Sequence, residues 1–349
     1  MTQLLTPEVR AALGSTHTYV APEPLSRASI RYFALAIGAD PQRWRDEAPP
    51  TLICETAQLT GRAVPDRNSY LGHTWELPLP VPCAMFRGGN DYRFERPARF
   101  DDVITTTWTL ADATERVDRA GGALLLVNAE ARYSAGDELL ATNTETMIFR
   151  PIEPAAADAG DEHADATPPA DGERSRDPAG ETAEVAAGKR PQDSAADGAT
   201  ATAEPAADHA DGATPLPRQR LTPGRSLRPL HRHIALADIV AYGAATWDWH
   251  RLHYDEAHAR RLGAPAPLVD GQMLGALLAE CVLRAAGPGA RLVRLSYRNR
   301  APVRAGETVG CAGTIATSDD AGFSVDLSVS VGEQLVVAPA FAQLAWTSN

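Results

Sequence analysis

The chain has 349 residues, 44% hydrophobic and 22% charged, with a formal net charge of −12. That length suits about two domains with sizeable cores, and the acidic balance argues against wholesale nucleic-acid binding, which needs a basic face. No apolar run approaches the ~18–20 residues that span a bilayer, and no basic stretch followed by an apolar one opens the chain; a cytoplasmic protein without a membrane span is expected.

Elements are read in chain order. SRASIRYFALAIGADP carries Ile30, Phe33, Ala34 and Ile37 at helical spacing. VITTTWTLAD, GALLLVNAEARYS and ELLATNTETMIF are β-branched and partly alternating, which predicts three strands separated by turns. From 154 to 217 the composition changes to Ala, Asp, Glu, Gly, Pro and Thr, with no aromatic residue, one Val and one Leu. Such a segment cannot bury enough apolar surface to offset its chain entropy, so a disordered linker is expected. It holds 14 acidic and 4 basic residues. The acidity of the chain is therefore mostly a property of this segment and says little about a ligand.

Beyond it the pattern repeats. ALADIVAYGAATWD reads as a helix, and VDGQMLGALLAECVLRAAG as a longer one with an apolar stripe from Met273 to Val282 and a stop at Gly287. ETVGCAGTIAT, GFSVDLSVSVG and QLVVAPAFAQLAW read as strands. APPTLICE (48–55) parallels APAPLVDG (264–271), and YRFERPARFDDVI (92–104) parallels YRNRAPVRAGETV (297–309). Matching blocks in the same order indicate duplication. The expected domains are 1–152, a linker at 153–219, and 220–349. Cys54, Cys83, Cys281 and Cys311 form no CxxC pair and fit buried, reduced thiols.

Residues 246–255, TWDWHRLHYD, concentrate the chemistry. Asp248 and His253 stand five apart, and LVDGQM follows with Gly271. These residues resemble the signature of the MaoC-like dehydratases, or (R)-specific enoyl-CoA hydratases, which runs Gly-Asp-x-Asn-Pro-hydrophobic-His and then a hydrophobic-x-Gly turn. Trp247, His250 and Arg251 depart from it. The resemblance covers about 1–152 and 220–349. It implies an α+β double hotdog, two curved antiparallel sheets each wrapped around a long helix, with a first half that lacks the catalytic pair. The counterpart there is IGADPQRW, which keeps Asp40 but has no histidine at that spacing, and Cys54-Glu55 stands in the place of Asp270-Gly271.

By that resemblance the chain hydrates 2-enoyl thioesters or dehydrates (3R)-hydroxyacyl thioesters of CoA or an acyl carrier protein. A histidine and a carboxylate can share the proton transfers through one water. A backbone N–H at a helix N-terminus suits the thioester oxygen as it gains charge. Asp248, His253 and the Gly271 N–H are the implied catalytic groups. Gln272, Trp249, Tyr254 and Arg298 are candidates for substrate binding. Arg298 belongs to a series, Arg291, Arg294, Arg298, Arg300 and Arg304, suited to the phosphate of CoA or phosphopantetheine. HRH at 231–233 and HRLH at 250–253 come with no cysteine and no HExxH, and read as polar surface rather than a zinc site. No P-loop, GxGxxG or GxSxG is present, so no metal or redox cofactor is expected. A hotdog thioesterase and a non-catalytic acyl-binding subunit are the alternatives. The residues leave open whether two such chains pair as a homodimer.

Overall fold

The computed structural model describes residues 3–55, 77–118, 121–152 and 215–347. The expected acidic linker lies outside the described residues except at its end. There the Leu216 N–H donates to the Ala285 carbonyl at 2.9 Å. The first half contains α1 (Pro7–Ala11), β1 (Thr16–Val20), α2 (Arg27–Ala36), α3 (Leu52–Glu55), β2 (Cys83–Phe94), β3 (Ile104–Val117), β4 (Ala123–Ala135) and β5 (Glu138–Pro151). The second contains β6 (Leu230–His233), α4 (Leu236–Thr246), α5 (Glu256–Arg261), α6 (Gly271–Ala286), β7 (Ala290–Asn299), β8 (Thr308–Ser318), β9 (Gly322–Val331) and β10 (Gln334–Trp346).

The strands form one antiparallel sheet in the order β1-β3-β4-β5-β2-β7-β10-β9-β8-β6. Each half lays its five strands in the same internal order, so the two halves meet back to back at β2 and β7. That seam pairs Gly89 with Arg298 through Arg93 with Arg294. Arg294 grips Asp91 across it with two hydrogen bonds, at 2.9 and 2.7 Å, a fork geometry that a lysine cannot reproduce. The six strands legible in the sequence are β3, β4, β5, β8, β9 and β10. The short edge strands β1 and β6 carry too few residues for an alternation to register.

Duplication extends to single hydrogen bonds. Before β3 the chain turns through Asp101 at φ 73°, and before β8 through Gly306 at φ 89°. In the first turn Asp102 accepts from the Arg99 N–H at 2.8 Å; in the second Glu307 accepts from the Arg304 N–H at 2.7 Å. The N–H groups of Asp101 and Gly306 donate to Leu25 and Ile234, which stand at matching places.

α6 is the central helix of the second half, with 13 of its 16 residues buried. A helix apolar nearly all round belongs inside a core. Its close approach to β7 rests on Gly275, where a Cβ would fall 2.4 Å from the Tyr297 ring. Its C-cap is Gly287 at φ 69°, as the stop signal predicts. The first half's equivalent stretch, after α3, lies outside the described residues. None of the four cysteines forms a disulfide, and burial pushes the Cys281 thiol up to about 11. No helix among the described residues is long and apolar enough to cross a membrane.

Candidate active site

α4 ends on a backbone reversal that fixes Asp248. Trp247 takes the left-handed conformation at φ 59°, and the Asp248 N–H donates to the Gly243 carbonyl at 2.9 Å. Gly243 permits this fold-back, because a Cβ there would lie 2.7 Å from the Asp248 carbonyl oxygen. The carboxylate is then steadied from within its own loop, where Oδ1 accepts the His250 N–H at 3.0 Å.

His253 sits at the end of a single 3-10 turn, Arg251–His253. His250 caps that turn, its Nδ1 accepting the Leu252 N–H at 3.2 Å. Arg251 pairs with Asp255 at 2.5 Å, and Asp255 caps α5 through the His258 N–H. The three departures from the family signature thus each have a structural place. Trp247 occupies the left-handed position that glycine adopts without steric cost. His250 caps the turn, and Arg251 ties it to α5.

This loop is stitched to the segment ahead of α6. The Leu268 N–H donates to the Leu252 carbonyl at 3.0 Å, and the Leu268 carbonyl lies 2.8 Å from His253 Nδ1. A carbonyl only accepts, so Nδ1 carries the proton and donates. In neutral His253 the Nε2 lone pair is therefore the exposed base. It lies 3.9 Å from Asp248 Oδ2, and both side chains are less than one-fifth exposed.

Asp270 closes the arrangement. It caps α6, accepting the Gln272 N–H at 2.9 Å, and one polar atom each from Asp248, His253 and Asp270 lies within 4.8 Å of the other two. Burial raises the Asp270 carboxyl above the ordinary range; His253 lowers it, Asp248 raises it and Arg87 lowers it. The three atoms also have a spacing that a metal ion could span. The next residue, Gly271, opens the helix, and its N–H is one of the four without an intrahelical acceptor. A Cβ on Gly271 would fall 2.4 Å from the Asn299 amide nitrogen.

Asp248, His253, Asp270 and Gly271 share one cavity of about 430 Å³ with residues of the first half, among them Met85, Phe86, Arg87 and Met147. Arg87 pairs with Glu145, its partner nearly buried, and its carbonyl accepts from the Asn299 side chain at 3.2 Å. Neither Arg87 nor Asp270 is singled out by sequence. Arg87 is distant along the chain, and Asp270 looks like a spacer before the glycine.

Of the expected substrate-binding residues, none lines this cavity. The Gln272 N–H is engaged by Asp270. Trp249 stacks edge-on between Trp247 and Tyr254, at 5.8 and 6.4 Å between ring centres. Arg298 points away: strand side chains alternate, Tyr297 faces the core, and Arg298 is exposed. Arg300 and Arg304 of the same series do line the wall. The register of the first half also needs correcting. There Gly38 holds the left-handed place, and the Ala39 N–H donates to the carbonyl five residues back, as that of Asp248 does. Ala39, not Asp40, is the counterpart of Asp248, and Trp44 that of His253.

A duplicated antiparallel sheet around a core helix, with an acid–base cluster at the N-terminus of that helix, defines a double-hotdog protein. Residues 219–333 match the model of the MaoC like domain, and residues 12–143 match the FAS1-like, dehydratase domain region; the chain thus carries a MaoC-like domain in its second half and a FAS1-like dehydratase region in its first. A solved MaoC-like dehydratase superposes with a TM-score of 0.63 at 17% identity, over 97% of this chain and all of the other. A MaoC-like dehydratase from Phytophthora capsici gives 0.59 at 13%, over 99% of each chain. A Mycobacterium tuberculosis protein described as a double hotdog gives 0.53 at 16%, over 97% and 98%. The mitochondrial 3-hydroxyacyl-[acyl-carrier-protein] dehydratase of Arabidopsis thaliana is 35% identical over 72 residues, which is 21% of this chain and 43% of that protein's length.

Proposed function

We propose that the chain interconverts (3R)-hydroxyacyl and 2-enoyl thioesters of CoA or an acyl carrier protein, by acid–base catalysis in the second half. The observation that carries this reading is the 3.9 Å pair of Asp248 and His253, held in one cavity with the opening N–H of α6. The thioester oxygen would receive the Gly271 N–H, where the helix N-terminus favours developing negative charge. Water would be held against Asp248 and His253 and add at the β-carbon, while a proton is delivered to the α-carbon. Dehydration is the same path reversed.

The first half, 1–152, is the non-catalytic partner in this reading, because Ala39, Trp44 and Cys54 stand where the second half has Asp248, His253 and Asp270. Its Met85, Phe86 and Met147 supply apolar wall for the acyl chain. Arg300 and Arg304 are the arginines placed to meet a phosphate, in preference to Arg298. The segment 153–219 serves as a spacer to the catalytic half, 220–349. Four cysteines that form no disulfide suit a reducing compartment such as the cytoplasm.

A panel of trans-2-enoyl-CoA substrates of increasing chain length tests the reading. Purified protein is expected to bleach the conjugated enoyl absorbance without releasing free thiol. Loss of that absorbance accompanied by release of one free thiol per substrate would make the protein a thioesterase and contradict it.

A further inference from the structure

Asp270 is buried, faces the same cavity as the Asp248–His253 pair and has no role in the mechanism above beyond capping a helix. Three atoms that all lie within 4.8 Å of one another have a point within about 2.8 Å of each, the optimal distance for hydrogen bonds to a water oxygen. We propose that Asp270 is a third catalytic residue, holding the reacting water together with Asp248 and His253, and that the three side chains share a single stored proton. This deepens the hydratase reading and rests on it.

Hydrogen counting supports the second clause. Water has two hydrogens to donate. Neutral His253 offers a lone pair at Nε2, since its Nδ1 proton is committed to Leu268, and two ionised carboxylates offer only acceptors. Three acceptors cannot all be satisfied by one water. One corner must donate to the water oxygen, and that requires one proton among the three. The charged groups facing Asp270 are Asp248, His253 and Arg87, the last of them paired with Glu145. Burial of Asp270 favours its neutral form, which is the donor the water needs.

The inventory also balances the reaction. In hydration the water oxygen forms the new bond to the β-carbon, and the double-bond pair moves toward the α-carbon and thioester oxygen. The water gives one proton to the triad, and the stored proton forms the new bond to the α-carbon. The triad ends each turnover with the single proton it started with, and no co-reactant is required.

Asp270→Asn tests this with the fold preserved, because asparagine is as good a helix N-cap as aspartate. With wild-type enzyme on the best enoyl-CoA of the panel as reference, kcat is expected to fall about 100-fold with KM changed less than about threefold, as expected when an interaction made only in the transition state is lost. A kcat within threefold of wild type would overturn the proposal. A high-resolution crystal structure of the wild-type chain decides the same point without any turnover: one ordered water within hydrogen-bond distance of all three side chains is expected. A triad whose water omits Asp270, or a metal ion with ligands at about 2.0–2.2 Å, would overturn it. If the wild-type chain hydrates nothing on the panel, the hydratase reading fails, while the position of the water still decides the role of Asp270.

Discussion

The two halves of this chain share a backbone and differ in what they hang on it. After α2 and after α4 the chain reverses through a left-handed residue, Gly38 or Trp247, and the next N–H reaches back five residues. The first half then presents Ala39 and buried Trp44, where the second presents Asp248 and His253. The first half has buried apolar side chains at these positions, and the second has a carboxylate and an imidazole on the wall of a cavity. A hotdog half can therefore keep the backbone turn that places Asp248 and carry neither a carboxylate nor an imidazole at the paired positions. The first half contributes instead as a wall, through Met85, Phe86 and Arg87.

The comparison is broken most sharply by making the second half resemble the first. Asp248→Asn and His253→Ala are each expected to lower kcat by at least about 100-fold, the usual scale of general acid–base catalysis, with the melting temperature nearly unchanged. Full activity in both would sink the assignment. The reverse graft, Ala39→Asp with Trp44→His, is expected to create no second site, since Cys54 replaces Asp270. It should instead destabilise the first half by roughly 3 kcal/mol or more, by emptying a large buried side chain and burying a charge. A thermal melt checks this, and a melt unchanged from wild type would contradict the packing account.

A smaller effect is expected at the helix start. Gly271→Ala drives a Cβ toward the Asn299 amide and should shift the N–H out of line, costing about 10–100-fold in kcat, at or below the cost of losing a whole oxyanion donor. Steady-state kinetics would show it; a change confined to KM would point to simple crowding of substrate.

The smallest effect is a slope with pH. Burial raises Asp270 above its unfolded value near 3.8. The native chain then holds that proton more tightly, so this group's contribution to stability is complete below the unfolded value and lost as pH rises through the folded one. Relative to wild type, Asp270→Asn should gain in melting temperature as pH rises from about 4 toward neutrality. The buried carboxyl of Glu280, also raised, is common to both proteins and cancels. A difference independent of pH would contradict the raised value.

Local pattern carried much of this into the sequence. The Asp248–His253 spacing, the apolar stripe of α6, its glycine stop and the duplicated blocks are all short-range signals, and the structure has them where the sequence puts them. The tertiary ones were illegible. Arg87 enters the cavity only because β2 pairs beside β7, and Asp270 matters because a loop eighteen residues earlier is stitched against it. Charge read without strand alternation puts Arg298 in the site, whereas alternation turns it outward; Arg300 and Arg304 reach the wall from beyond the end of β7, where that alternation no longer applies. Residue type alone points to Asp40, whereas the hydrogen bond that defines the turn belongs to Ala39.

The central claim is that the second half adds water across an enoyl double bond. It is tested most directly by incubating the protein with a trans-2-enoyl-CoA in heavy-oxygen water and examining the product by mass spectrometry. The account predicts an intact 3-hydroxyacyl-CoA with the label on its β-carbon, formed by wild type and not by Asp248→Asn. A free acid carrying the label in its carboxyl group, with the double bond intact, would contradict it.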